Sequence, residues 1–493
     1  MAELRAPQTD GEVLALPGFD QVPRLVRENR RRIEHAAARV RIAGRPLGDL
    51  RQLARREALA LANSPDRSDS PDRSAAGLDP DAPLLLSGHQ PELSHPGVWV
   101  KNFALNALAS KLGGVPLFLI ADSDTLKSPV LRVPSFDGNE PRSARLQPLA
   151  FDAETGEVPY EDRRVIDPER FLSLPARAAE LWKNWGYEPL LPRVWPRLAP
   201  SGRTLGELFT ALRRDRERAW GCLNRELGVS RLSQTESFRR FAAHILSDLS
   251  RFRAVYNAAI RSYRRANRVR SRHHPAPELA EGEAPFWVRT ASGRRERATG
   301  TSDLASLRPR ALTLTLFARL VLGDLFIHGI GGGKYDEVTD AICRDYFGIE
   351  PPAYLVLSGT LYLPLPVFTA TADELNHARR LVRDLHWNPQ RHLPQGPDRD
   401  AVVCAWVNRK QELVSSEPPK CLHSARRRWY RELRAATERL RSVVAEQLRR
   451  AEAEANRLRD EVRANAVLRR RDYAWVLYPE DRLGRFLQRL LRL

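Results

Sequence analysis

The sequence predicts an α/β fold with a parallel-sheet core, inserted helical segments and a long C-terminal coiled coil. Three observations carry this. Two short apolar runs, Leu84-Leu85-Leu86 and Val115 to Ala121, flank a segment of helix length. Each run ends in a polar cluster, Ser87-Gly88-His89-Gln90-Pro91 and Asp122-Ser123-Asp124. From Arg426 to Leu468, Leu440, Val444, Ala451, Ala455, Leu458 and Val462 follow the 3-4 spacing of a coiled-coil seam, with charges between them.

Taken in chain order, residues 21–63 read as helical, because Leu25, Ile33, Ala37, Val40, Leu50 and Leu53 recur at helical spacing among charges. Ser64 to Pro80 is a linker: Ser-Pro-Asp-Arg-Ser occurs at 64–68 and again at 70–74, and its prolines and aspartates disfavour helix and strand. A strand at Leu84–Leu86 leads through the Ser87 loop into a helix from Val98 to Leu112, which Gly113-Gly114 stops. Val115 to Ala121 is the next strand. Continuously apolar strands around a helix are the βαβ signature of a parallel sheet. Ligands of such sheets sit at the carboxyl ends of the strands, where both polar clusters fall.

Residues 150–270 read as mostly helical, and Arg270 to Pro285 as a loop. A further α/β stretch spans 286–370, with strands near 286–289, 324–328 and 354–358. Asn388 to Asp400 is a proline-rich connection. The helix from Arg426 to Leu468 would form a rod of roughly 60 Å. Tyr473 to Leu493 reads as a helical tail that folds back. The expected domains are 1–80 (helical segment and linker), 81–400 (α/β core with a helical insertion at about 150–285) and 401–493 (coiled coil and tail).

The chain has 493 residues and a net charge of +19. Such a charge fits a nucleic-acid partner or polyanionic substrate. However, only seven of the 80 basic residues are lysine, the pattern arginine-favouring codon composition gives, and no nucleic-acid reader motif is present. Nucleic-acid binding is therefore not expected as the main function. Cys222, Cys343, Cys404 and Cys421 form no CxxC pair, so no zinc ribbon is expected, and their scarcity fits a reducing compartment. The N-terminus lacks an apolar leader, and the most apolar stretch, Ala311 to Ile330, contains Arg319, Asp324 and His328. A soluble, cytoplasmic, non-membrane protein is expected.

Four segments are site candidates. The first is Gly88 to Gly97 with Lys101 and Asn102. A strand entering a helix through glycine and proline points backbone N–H groups at an anion, and His89, His95 and Lys101 add donors. The bland alternative is a tight turn whose histidines cap backbone groups. The second is Asp122-Ser123-Asp124: Asp124 can bind a substrate amine, or the pair can cap a turn. The third is His328-Gly329-Ile330-Gly331-Gly332-Gly333-Lys334, where glycines allow close approach to a ligand. It is not a Walker A motif, since the spacing fails and no Ser or Thr follows Lys334. The alternative is a strained strand-to-helix turn. The fourth, Arg308-Pro309-Arg310, can hold a carboxylate or phosphate bidentately or be a solvated charge pair. His273-His274 reads as an exposed loop, and Cys421 with His423 is too close in sequence for a thiol dyad.

The order of these motifs resembles the bacillithiol-biosynthesis cysteine-adding enzyme family, the cysteine ligases. Gly88-His89-Gln90-Pro91 with Lys101 is similar to the family's glycine-glutamine-glutamine-proline loop and following lysine. Asp122-Ser123-Asp124 is similar to its Asp-His-Asp cluster. Val467 to Tyr473 resembles its closing segment. His89, His95-Pro96-Gly97 and Ser123 depart from the family's pattern. The resemblance spans 84–493 thinly. It implies a Rossmann-like core, a C-terminal coiled coil, and an ATP-linked ligase joining an amino acid, here cysteine, to a small anionic sugar-acid acceptor. Under this expectation His89, Lys101 and Asp124 are catalytic. Ser87, Gly88, Gln90, His95, Asn102, Asp122, Arg308, His328, Gly331, Gly332, Gly333 and Lys334 bind substrate or nucleotide. ATP or ADP is the expected cofactor, and no metal site is expected. Two alternatives stay open: a nucleotidyl- or sugar-phosphate-modifying enzyme, and a basic coiled-coil nucleic-acid or scaffold protein. The seam calls for a partner, either a second copy in a homodimer or an intramolecular helix from 21–63 or 205–265.

Overall fold

The structure is a computed structural model that describes residues 4–63, 81–154, 156–393 and 400–493. The 64–80 linker and 394–399 of the proline-rich connection lie outside the described residues. The chain forms two compact units. One comprises Met1–Val133, Gln147–Pro364 and Arg471–Leu493; the other comprises Pro134–Leu146 and Leu365–Arg470. The helical unit thus takes in 134–146 and 365–400 beside 401–470, and the tail after 470 belongs to the α/β unit.

Six strands make the main sheet of the α/β unit: β1 (Val13–Leu16), β2 (Leu84–His89), β3 (Val115–Ile120), β4 (Arg225–Gly228), β5 (Leu325–His328) and β6 (Leu355–Gly359). Their order is β1-β6-β5-β2-β3-β4. All neighbours are parallel except β1, which runs antiparallel along β6. From β2 the chain moves outward to β3 and β4, then returns to β5 on the other side of β2. The direction of winding therefore reverses between β2 and β5. Such a reversal opens a crevice at the carboxyl ends of the two strands.

The expected strands at 84–86, 115–121, 324–328 and 354–358 all lie in this sheet. Two others were not foreseen. β1 closes an edge from the N-terminal segment, and β4 interrupts the helical 150–270 region. The expected strand at 286–289 belongs elsewhere: Glu283–Arg289 is the centre of a separate antiparallel sheet with Arg295–Thr299 and Leu307–Pro309. The N-terminal helical segment is two helices, α1 (Val22–Ala37) and α2 (Leu47–Asn63), joined by a hairpin at 41–46.

Leu84, Leu85 and Leu86 are fully buried, as strands covered on both faces require. Helix α3 (Pro96–Lys111) starts on Pro96, whose missing N–H costs nothing at a helix start. It ends before Gly113, which takes φ +61°. Most of it is buried from Pro96 to Ala109, including the polar Lys101 and Asn102. The C-terminal tail covers it: the Trp475 ring lies 4.9 Å from that of Trp99, and Trp475 N donates to Ser94 O at 2.9 Å. Helix α4 (Leu205–Ala219) begins with a capping box of Thr204 and Glu207. Helix α5 (Ile330–Asp345) follows β5 directly.

The helical unit contains α6 (Ala372–Trp387), α7 (Ala401–Ser415), α8 (His423–Val443) and α9 (Ala445–Leu468). The expected single rod over 426–468 is two helices that break at Val444 (φ −98°, ψ 15°). Their seam is covered within the unit. Leu440, Val444 and Ala451 pack with Leu385, Leu393, Val403 and Trp406, and Leu458 packs with Leu375 and Ala378. Helices α6 and α7 thus supply the apolar partner for which a second copy, or residues 21–63 or 205–265, had been expected. No helix among the described residues is long and apolar enough to cross a membrane.

Candidate functional site

His89 ends β2 opposite Ile120, so the β2 loop and the β3 aspartates emerge at one end of the sheet. Gly88 permits this pairing, because a Cβ there would sit 2.8 Å from Leu119 O. The His89 side chain is 23% exposed, in a recess. Burial first, then the Lys101 charge, pushes its pKa down to about 3, so the ring is neutral at pH 7. Nδ1 lies 3.2 Å from the Gln90 carbonyl, which can only accept. That contact assigns the proton to Nδ1 and leaves the Nε2 lone pair available as a hydrogen-bond acceptor.

Lys101 reaches back from α3 and donates from Nζ to Gly88 O at 2.8 Å. It is buried, and burial lowers its pKa to about 8. It remains a cation at pH 7 but loses its proton within the mildly alkaline range. His95, just before α3, is also kept neutral: burial, then Arg471, lowers its pKa to about 4. Its Nδ1 has no hydrogen-bond partner among the described residues.

Asp124 is an accessible acid, with 39% of its side chain exposed. Oδ2 accepts from Gln90 Nε2 at 2.8 Å, and Oδ1 accepts from Arg295 at 2.8 Å and Thr125 N at 2.9 Å. This fixes the carboxylate and leaves acceptor capacity on Oδ2. Arg295 in turn lies over the Trp287 ring at 4.6 Å. Glu92, held above the usual carboxyl range by burial, and Tyr160, whose buried hydroxyl has no partner among the described residues, complete the neighbourhood. The structure thus brings Gly88, His89, Gln90, His95, Lys101 and Asp124 to one end of β2 and β3.

Other expected site residues are committed to internal contacts. Ser87 Oγ donates to Ile327 O at 2.9 Å, tying β2 to β5. Asn102 donates to buried Glu217 at 2.7 Å, on the side of α3 that also carries Trp99 Nε1 to the same carboxylate. Asp122 accepts from Ser230 N at 2.8 Å and Ser230 Oγ at 2.5 Å, joining the ends of β3 and β4. Burial nevertheless raises its pKa to about 6. Arg308 is spent on a two-pronged pair with Glu161, both contacts 2.9 Å. These four brace the site rather than face a ligand.

The third segment divides the same way. His328 Nε2 lies 2.7 Å from Asp336, which also pairs with Arg319 at 2.7 Å. Burial opposes charge on Asp336, but Arg319 and His328 outweigh it and hold its carboxyl below the usual range. A Cβ on Gly332 would meet His328 Nδ1 at 2.7 Å, and one on Gly333 would meet Val356 at 2.5 Å. These two glycines serve packing. Gly329 and Gly331, by contrast, face open space. No side chain caps the first turn of α5, so its N–H groups are available at the winding reversal, with half-buried Lys334 in the next turn.

The sequence reading covered Glu92 within its first segment but gave it no role, and it missed Tyr160, Arg295 and Arg471 as site residues. Arg295 and Tyr160 lie in segments without a motif and arrive through tertiary packing. Arg471 comes from the tail and donates to Ser358 Oγ at 3.0 Å and Gly359 O at 2.9 Å. Gly97 makes room for it, since a Cβ there would sit 2.7 Å from its guanidinium.

Two cavities are lined by none of these residues. One of about 400 Å³ is an open groove in the helical unit between Leu381, Leu385, Arg450 and Ala451. One of about 360 Å³ is lined by Arg30, Arg51, Arg55, Arg56 and Asp324, at the amino-terminal end of the sheet. Neither lining contains a lysine, and neither joins a strand-end histidine to a buried lysine as the β2 loop does. Among the described residues no three His, Cys, Asp or Glu side chains converge as metal ligands. Comparison with protein-family models and with curated proteins finds no match to this chain.

Proposed function

We propose that the chain is an enzyme built on a Rossmann-like core, an ATP-linked ligase that forms an amide between an amino acid and a small anionic acceptor. One observation carries the reading: a neutral histidine, a buried lysine of lowered pKa and a fixed, accessible carboxylate converge at the carboxyl end of β2 and β3, beside the winding reversal. In this reading Asp124 holds the amino acid's ammonium group. Lys101 holds the anionic group of the acceptor or the activated carboxyl. His89 Nε2, too weak a base to hold a proton at pH 7, accepts a hydrogen bond from the attacking amine and orients it toward the activated carboxyl, from which phosphate or AMP leaves as the amide forms. The uncapped first turn of α5, open at Gly329 and Gly331, fits the phosphates of ATP or ADP, with Lys334 beside them.

The family resemblance names cysteine and a glucosamine-malate conjugate as the first substrates to try. Helices α6 to α9 would then stand for the family's C-terminal coiled coil, and four free cysteines fit a reducing, cytoplasmic setting. The test is turnover by purified protein with ATP, cysteine and the conjugate, read by mass spectrometry of the amide and by nucleotide release. His89→Gln is expected to lower kcat/KM by about 10²-fold, the scale for a misplaced reacting group. Unchanged turnover in both His89→Gln and Lys101→Met would remove the site from the mechanism. Nucleotide turnover without an amino acid would favour a nucleotidyl- or phosphate-transferring enzyme.

A further inference from the structure

Helix α8 differs from its neighbours in charge balance. Its sequence carries seven arginines against two glutamates. Helix α9 has five arginines and five acids, and α6 has three of each. Arginine-favouring codon composition alone would load all three alike. The pairing differs too. On α9, Arg449 and Arg450 pair with Glu446, and Arg457 pairs with Glu454 and Glu461. On α8 both acids are already taken, Glu432 by Arg409 and Glu438 by Arg441. Arg427, Arg428 and Arg431 form no ion pair among the described residues, Arg434 has only a charge interaction with Glu438, which Arg441 already binds, and all four are exposed.

Their placement is ordered. Arg427, Arg431 and Arg434 follow i, i+4, i+7 spacing and form one row along the helix. Arg428 flanks the row on one side and Tyr430, 54% exposed, on the other. The opposite face is fixed inward: Ala436 and Leu440 are fully buried, and Trp429 Nε1 donates to Leu413 O at 2.6 Å. The row therefore faces away from the unit's packed side. Like charges at these spacings oppose one another, so the free protein gains nothing from them.

We propose that this face of α8 binds single-stranded nucleic acid. Arginine forks match phosphate oxygens two at a time, and an exposed tyrosine ring offers a stacking platform for an unpaired base. A helix lying on a membrane would turn an apolar stripe outward, whereas the apolar stripe of α8 is inward. The proposal is independent of the ligase reading, since it uses no residue of the sheet.

The experiment is fluorescence anisotropy of a labelled 20-nucleotide oligouridine with the full-length protein, in a salt series from 50 to 400 mM KCl. Replacing Arg427, Arg431 and Arg434 together by glutamine is expected to weaken binding and flatten the slope of log K against log salt by about 2, as for three lost phosphate contacts to a single strand. The lysine triple variant, which keeps the charge, should keep the slope. Tyr430→Ala should weaken binding about 5-fold or more with the slope unchanged. Arg449→Gln with Arg450→Gln, on α9, should change neither. Circular dichroism establishes that each variant is folded; were the glutamine variant to lose helix, the lysine variant and Tyr430→Ala would decide. The proposal fails if the wild type does not bind at 50 mM KCl. It also fails if the α9 variant flattens the slope as much as the α8 variant, or if α8-dependent binding goes to anionic phosphatidylserine vesicles and not to the oligonucleotide.

Discussion

His89 and His95 are neutral in the folded protein because charge there would be buried beside Lys101 and Arg471. In the unfolded chain both titrate near 6.5. Between about pH 6.5 and pH 4 the unfolded state therefore binds more protons, and stability falls as pH falls. Asp122, with its pKa raised to about 6, acts in the opposite sense over part of that range. Comparing wild type with the His89→Gln, His95→Gln double variant isolates the histidines: the variant should lose less stability between pH 7 and pH 5 in urea titrations. Lys101 has a folded pKa near 8 against 10.5 unfolded, so its burial costs stability below pH 8 and the cost fades as pH rises toward 10.5. Lys101→Met should raise the free energy of unfolding at pH 7 by on the order of 1–3 kcal/mol, read in a urea titration, while abolishing activity. A destabilising residue kept in place is what a functional site exhibits.

At this scale the sequence showed which residues could carry chemistry, but not which of them already had partners. His89, Gln90, Lys101 and Asp124 were legible because they sit at strand ends or one turn inside the next helix. Asp122, Arg308 and His328 looked equally functional. Their commitments to Ser230, Glu161 and Asp336 depend on chain segments brought together only by folding.

Among elements, α5 shows how one glycine run serves two ends. Gly331 faces open space in a helical conformation, so Gly331→Ala should stabilise the protein by up to about 1 kcal/mol through helix propensity, read in a chemical denaturation. Gly332→Ala drives a methyl group into the His328 ring and should destabilise it. If phosphate sits on that turn, the added Gly331 methyl should also weaken nucleotide binding. The ion cluster behind the turn is stiffer. Arg319→Met would leave Asp336 and Asp340 facing a buried gap and should cost about 3–5 kcal/mol. The long apolar strands were readable from their composition. β4 was not, because Arg225-Glu226-Leu227-Gly228 has no strand pattern, and its place depends on pairing with β3 and on the Arg213–Glu226 ion pair at 2.5 Å. The break at Val444 was equally hidden, since the seam spacing continues through it.

For the whole molecule, the mixed α/β class and the parallel sheet followed from two apolar strands and the helix between them. The division into units did not, because the helical unit is assembled from 134–146 and 365–470, and the tail returns to the sheet. No local pattern announces a chain that leaves a unit and comes back. The covered seam also changes what a second copy would be needed for. Leu440→Ala should lower stability by about 2–5 kcal/mol, by loss of buried contacts, with an unfolding midpoint that does not depend on protein concentration. A midpoint that rises with concentration would place the seam in an interface between copies.

The central claim is that the carboxyl ends of β2 and β3 form the substrate site. Thermal unfolding of wild type and of the His89→Gln, Lys101→Met variant, each with ATP, ADP, cysteine and sugar acids, tests it most directly. A bound ligand at 100 times its Kd adds about 2.7 kcal/mol of stability. Cysteine or a sugar acid is expected to raise the wild-type midpoint and leave that of the variant unmoved; a shift of equal size in both proteins, or none with any of these ligands, would contradict a substrate site there.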